Sequence, residues 1–253
     1  MTDEPTALPA DKQKAVKATP KWESDARERI KTTVRTMAKP LAGLIARDAN
    51  EGDTRHLVTD FLCDALGYDK YEDLTTEYQV KGEFADYGVR IDKQLVAFIE
   101  VKRVTTKLGP RHLRQVEVYA INEGVEWGIL TNGNDWHVYH LAPASPKLAG
   151  SAPNGPLVDV VLTLEVSLLG DETPAQKVNK LFFLAREAMK RHQMDDLWRA
   201  RRATSPRALG AILTSDVVVD SIRKEIKRSS GHSATAAEIV QALKSGVIRA
   251  DLS

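Results

Sequence analysis

The order of periodicities along this chain predicts an α/β (α+β) fold that ends in a helical module. Apolar residues recur at helical spacing up to about residue 66, at a period of two from Thr75, and at helical spacing again from about Pro174. Within the period-two region, Gly109-Pro110 and a helical stretch from Arg111 to Asn122 divide the strands into two groups. Helices, then strands around one embedded helix, then helices again describe a sheet with helical layers.

Taken in order, residues 1–20 are rich in Pro, Lys, Ala and Thr without periodicity and read as a flexible tail. Trp22 to Ala49 is helical, with an interruption expected at Pro40. Glu51 to Leu66 forms a second helix with Leu57, Phe61, Leu62 and Leu66 on one stripe, stopped by Gly67. Three consecutive strands follow at Thr75–Lys81, Asp86–Ile91 and Leu95–Lys102. After the embedded helix, Trp127–Thr131 and Trp136–Leu141 form two more strands joined through Asn132-Gly133, a tight-turn signal. A loop rich in Pro, Ala, Gly and Ser spans Ala142 to Pro156, and VDVVLTLEV reads as a further strand. KVNKLFFLAREAMKRH, RALGAILTS, DVVVDSIRKEIKR and ATAAEIVQALKSG then read as helices. These readings give a core domain over 21–170 and a helical module over 171–253.

Composition excludes several classes. With 42% hydrophobic and 28% charged residues the chain is globular rather than disordered. The single cysteine, Cys63, allows neither a disulfide framework nor a cysteine-based zinc site and fits a reducing cytoplasm. No apolar run has the length of a membrane span, so a cytoplasmic location without membrane contact is expected. The net charge of +1 conceals local bias: Lys190 to Arg228 holds ten Lys or Arg against five Asp or Glu. Such basic faces either bind phosphates or are solvated helix surfaces.

The chemistry converges on ADYGVRIDKQLVAFIEVKR, residues 85–103. An apolar strand, LVAFI, runs directly into Glu100-Val101-Lys102, and period two puts Glu100 and Lys102 on one face. If Asp92-Lys93-Gln94 is a three-residue turn, Ile91 pairs with Leu95 and Asp86 falls opposite Glu100. A two-residue turn would instead put Asp86 at the wrong parity. Two adjacent carboxylates repel unless a cation joins them, and an oxygen-only donor set suits Mg²⁺ or Mn²⁺. A neighbouring lysine orients water and offsets phosphate charge, the parts a phosphodiester hydrolase needs. The plain alternative is a surface ion-pair cluster where a strand emerges into solvent.

Four segments in order go beyond that tripeptide: Glu51-Gly-Asp-Thr-Arg55, Asp86-Tyr87, Glu100-Val-Lys102 and Gln115-Val-Glu-Val-Tyr119. Together they resemble the PD-(D/E)XK nuclease superfamily, in particular the nuclease domain at the N-terminus of type I restriction enzyme R subunits. The hairpin GILTNGNDWHVYHL is similar to that family's closing strand pair, and the resemblance extends from about Asn50 to Leu141. It departs from the family in having Ala85 before Asp86. The resemblance implies a restriction-endonuclease-like core with a mixed central sheet flanked by helices. It further implies a metal held by Asp86, Glu100 and the Val101 carbonyl, with Lys102 positioning the attacking water. Glu51 either completes the metal shell or is a helix-start acid favoured by the dipole, and Asp53 is its rival for the same place. Gln115 and Tyr119, one helical turn apart, touch the active site or the DNA backbone, or Tyr119 is simply half-buried.

Candidate DNA-binding residues are Arg103, Lys107, Arg111 and Arg114 around the motif helix, and Arg199, Arg201 and Arg202 beside Trp198. His112 either reaches a phosphate or is a solvated surface histidine. No G-x-x-x-x-G-K-[ST] phosphate loop occurs in this sequence. The expectation is therefore a stand-alone Mg²⁺-dependent DNA endonuclease of restriction or defence type, without an ATP motor. Its partners would be DNA and a homodimer mate or a motor or specificity subunit. The alternative is a non-catalytic DNA-binding or assembly subunit that keeps the nuclease fold.

Overall fold

A computed structural model describes residues 18–143 and 158–248 of the chain. The expected N-terminal tail up to residue 17 and nearly all of the Pro/Gly/Ser-rich loop lie outside the described residues. Six strands form one sheet in sequential order: β1 Leu74–Val80, β2 Glu83–Ile91, β3 Gln94–Val101, β4 Trp127–Thr131, β5 Asp135–Pro143 and β6 Val158–Ser167. Every neighbouring pair is antiparallel except β3 and β4, which are parallel and joined by the crossover helix α3, Pro110–Glu123. The fold is thus α+β, a mixed sheet flanked by helices with a helical C-terminal region.

Alternation along the strands gives the sheet two apolar faces. Phe98 and Leu130 face α3, packed with Leu113, Val116 and Ala120. Gly128 lets this helix come close, since a Cβ there would stand 2.5 Å from Val116 Cγ1. Ile99, Val101, Trp127 and Ile129 face the larger layer built on α1, Lys21–Ala46, and α2, Glu51–Asp64. That layer also takes Leu181, Phe182, Leu184, Ala188 and Met194, so one core runs across the expected 170/171 boundary.

Helix α1 passes through Pro40 without the expected interruption. Apolar residues on both sides of the proline hold it to one surface: Ile30 and Leu41 are fully buried, with Val34, Met37, Leu44 and Ile45 packed beside them. Tertiary burial on both flanks outweighs the lost backbone hydrogen bond.

The helix expected over KVNKLFFLAREAMKRH is instead broken into α4 (Pro174–Leu181), a 3₁₀ turn (Phe182–Leu184) and α5 (Arg186–Lys190), with Ala185 extended. Phe182, Leu184, Ala185 and Ala188 are all buried at the break. Backbone groups at the break find partners elsewhere. The Leu184 carbonyl accepts from the buried Tyr68 hydroxyl at 2.9 Å, and the Arg186 N–H donates to the Leu66 carbonyl at 2.9 Å.

Beyond these lie α6 (Gln193–Ala203), α7 (Pro206–Leu213), α8 (Asp216–Ser230) and α9 (Ala236–Ala242). Only α6 is docked closely on the sheet: Trp198 stacks on His140 of β5 and Asp195 accepts from the Trp127 indole N–H. Among the described residues no helix is long and apolar enough to cross a membrane.

Candidate active site

The β2–β3 hairpin differs from the expected one in its turn and still brings the acids together. Ile91 pairs with Gln94, leaving Asp92-Lys93 as a two-residue turn with both residues at positive φ. A bulge then follows: Val89 pairs with Ala97 and Arg90 with Leu95, so Val96 is unpaired. That extra residue restores the pairing of Tyr87 with Ile99, and the same register one step further sets Asp86 across from Glu100. Turn and bulge each shift the count by one, and the shifts cancel.

At this end of β3 the acids are buried, Asp86 being 9% and Glu100 5% exposed. Asp86 Oδ2 accepts from the Val101 N–H at 2.7 Å. Glu100 Oε1 accepts from Lys102 Nζ at 2.6 Å, and the same ammonium reaches Gln115 Oε1 on α3 at 3.3 Å. Lys102 is itself fixed by its backbone N–H, which donates to the Thr131 carbonyl of β4 at 2.7 Å. Burial raises the Glu100 carboxyl above its ordinary range; the Lys102 hydrogen bond opposes this and the Asp86 charge adds to it.

Helix α2 closes the cluster from the other layer. Asn50 caps it by accepting from the Asp53 N–H, which places Glu51 in the first turn, where its charge is felt at Glu100. Asp53 is turned to Arg47 at 3.0 Å. One helical turn past Glu51, Arg55 pairs with Asp86 Oδ1 at 3.2 Å. The Tyr87 hydroxyl donates to the Arg55 carbonyl at 2.9 Å and lies 2.8 Å from the Thr59 hydroxyl, fastening α2 to the sheet. Arg55 and Tyr87 are the site residues that sequence reasoning left without a role. The signal was present, since Arg55 follows Glu51 at the i, i+4 spacing that shares a helix face.

The remaining candidates separate. Tyr119 is buried, and its hydroxyl donates to the Phe84 carbonyl at 3.0 Å; burial, with the nearby acids, pushes it up to about 12. Arg103 is engaged by the side chain and carbonyl of Asp48. Lys107, Arg111 and Arg114 are exposed around the start of α3, near the cluster, and Arg111 donates to His112 Nε2. Arg199, Arg201 and Arg202 ride on α6, at the opposite end of β4 and on the other face; Arg199 pairs with Asp196, and Arg201 donates to the Thr163 carbonyl.

Whether this chain fits a divalent ion is decided by its donors. Glu100 Oε2 is buried without a hydrogen-bond partner among the described residues, an acceptor left unsatisfied. Among the described residues no three His, Cys, Asp or Glu side chains are grouped to hold an ion by themselves. Two carboxylates and a backbone carbonyl suit an ion that keeps several waters, as Mg²⁺ does. The residues fit such an ion.

Fold and cluster together define an α+β protein with a six-stranded mixed sheet flanked by helices and an acid–lysine cluster at the end of β3. Residues 50–150 match the family model of the type I restriction enzyme R protein N terminus. The resemblance read from the four motifs is shown over that segment, which links the chain to restriction enzymes and nuclease-related function. No curated protein and no solved structure matches the chain.

Proposed function

We propose that this protein is a metal-dependent nuclease that hydrolyses DNA phosphodiester bonds, acting as a restriction-type endonuclease. The observation that carries the reading is Glu100: buried at the end of β3, clamped by Lys102 on one oxygen and unpartnered on the other. Asp86, Glu100, the Val101 carbonyl and Glu51 would hold Mg²⁺ or Mn²⁺. When bound, the ion supplies Lewis-acid polarisation of the phosphate and offsets its charge. Lys102, held between Glu100 and Gln115, would orient a water and stabilise negative charge developing on the phosphate. Lys107, Arg111 and Arg114 offer phosphate contacts beside it. DNA is then the macromolecular partner, and cutting both strands at one locus calls for a homodimer or a partner subunit.

Nicking of supercoiled plasmid with Mg²⁺ or Mn²⁺ tests this. Wild type should cut only with metal, and Glu100→Ala and Lys102→Ala should each lose roughly a hundredfold or more. DNA binding without cutting by any of the three would favour a non-catalytic DNA-binding or assembly subunit.

A further inference from the structure

A second polar cleft lies against the candidate active site, between α2 and the edge strand β1. It encloses about 830 Å³, within the range of small-molecule sites. Its walls include the cations Arg55 and Lys70, with His56, against the single acid Glu77, and the hydroxyls of Thr59, Thr75, Thr76 and Tyr87. Arg55 is common to both sites, pairing with Asp86 Oδ1 at 3.2 Å on one side and with Glu77 at 3.6 Å on the other. At its rim stands Tyr71, 86% exposed, the most exposed of the large hydrophobic side chains described.

Tyr71 is exposed on a fixed platform. Asp69 Oδ1 accepts from the N–H groups of Tyr71 and Glu72 at 2.8 and 2.9 Å. Asp73 Oδ2 accepts from the Asp69 N–H, and Asp73 is in turn held by Arg186. An aromatic ring held out of the core beside cations and hydroxyls matches what binds an unpaired base and its phosphate: a stacking face, point charges, and hydrogen-bonding groups. A base within a duplex already has both faces covered by its neighbours and offers Tyr71 no stacking surface.

We infer that the α2–β1 cleft binds an unpaired nucleotide of single-stranded DNA, stacked on Tyr71 with its phosphate at Lys70 and Arg55. This rests on the nuclease reading for its role, as it would give that site a substrate with unpaired nucleotides beside the cut. Binding itself is measured without catalysis.

Fluorescence anisotropy of a short fluorescein-labelled oligodeoxythymidylate, in EDTA, provides the test. Tyr71→Ala should weaken binding roughly 5- to 100-fold, the range for loss of one stacked base. Lys70→Glu should weaken it and flatten its salt dependence. The same oligonucleotide annealed to its complement should bind with no dependence on Tyr71. Absence of wild-type binding, affinities of both cleft variants within about twofold of wild type, or equal loss on duplex by Tyr71→Ala would overturn the inference. Plasmid nicking separates the two readings. Normal cutting with Tyr71-independent binding removes the cleft alone, and no cutting with Tyr71-dependent binding removes the nuclease.

Discussion

Lys102 and Tyr119 show how side chains from neighbouring motifs come to have different duties. Lys102 ends at an acid and an amide, with its ammonium facing the cluster, whereas Tyr119 spends its hydroxyl on the Phe84 carbonyl and fastens α3 to β2. Gln115, one turn earlier on α3, is exposed and reaches the ammonium. Tyr119→Phe should therefore cost about 0.5–1.5 kcal/mol of stability, the usual worth of one hydrogen bond, with little change in cutting. Gln115→Ala should do the reverse, lowering kcat at nearly unchanged urea midpoint. Paired denaturation and nicking measurements check both. The acids, the lysine and this glutamine were legible because they are polar residues at fixed spacing around an apolar strand. Arg55 stood in a motif segment, but its pairing with Asp86 was not legible, because the two are 31 residues apart and only the packing of α2 on the sheet makes them neighbours.

At the scale of elements, strand positions followed from period two, while joints and helix breaks did not. Asp92-Lys93 carries positive φ at both positions without the Gly or Asn that usually announces such a turn, so local sequence did not reveal its length. The break at Ala185 is held by hydrogen bonds to the Tyr68 hydroxyl and the Leu66 carbonyl, which no local pattern shows. Docking of α6 carries a pH dependence. His140 stacks on Trp198 with ring centroids 4.3 Å apart and meets Trp127 edge-on at 5.0 Å. Burial lowers its pKa; Glu126 and Asp195 oppose that and Arg202 assists it. The unfolded chain therefore takes up the proton more readily than the folded one. The stability contributed by the neutral ring is fully present above the unfolded value of about 6.5 and is lost as pH falls below it toward the depressed folded value. Urea midpoints measured from about pH 7.5 down to about pH 5 should fall for wild type and fall less for His140→Phe.

For the whole molecule, the segment that matches the restriction family differs from the unit that is packed. Residues 50–150 carry the described site residues, but the core beneath the sheet also needs Ala26, Ile30 and Leu41 from α1 and Leu181, Phe182, Leu184 and Met194 from the C-terminal side. A fragment limited to residues 50–150 would expose that apolar face, and it should be insoluble or lack dispersed amide resonances, while residues 18–203 should fold. A soluble, cooperatively unfolding 50–150 fragment would contradict this account of the core.

The unpaired Val96 has a consequence for how such a hairpin can change its length. A one-residue insertion or deletion anywhere between the two acids sends one of them through to the far layer of the protein, unless a second single-residue change undoes it. Lengths that differ by two leave both acids on the same side. The loop is therefore free to grow or shrink in even steps, and what it must keep is whether the separation of Asp86 from Glu100 is odd or even once the bulge is counted.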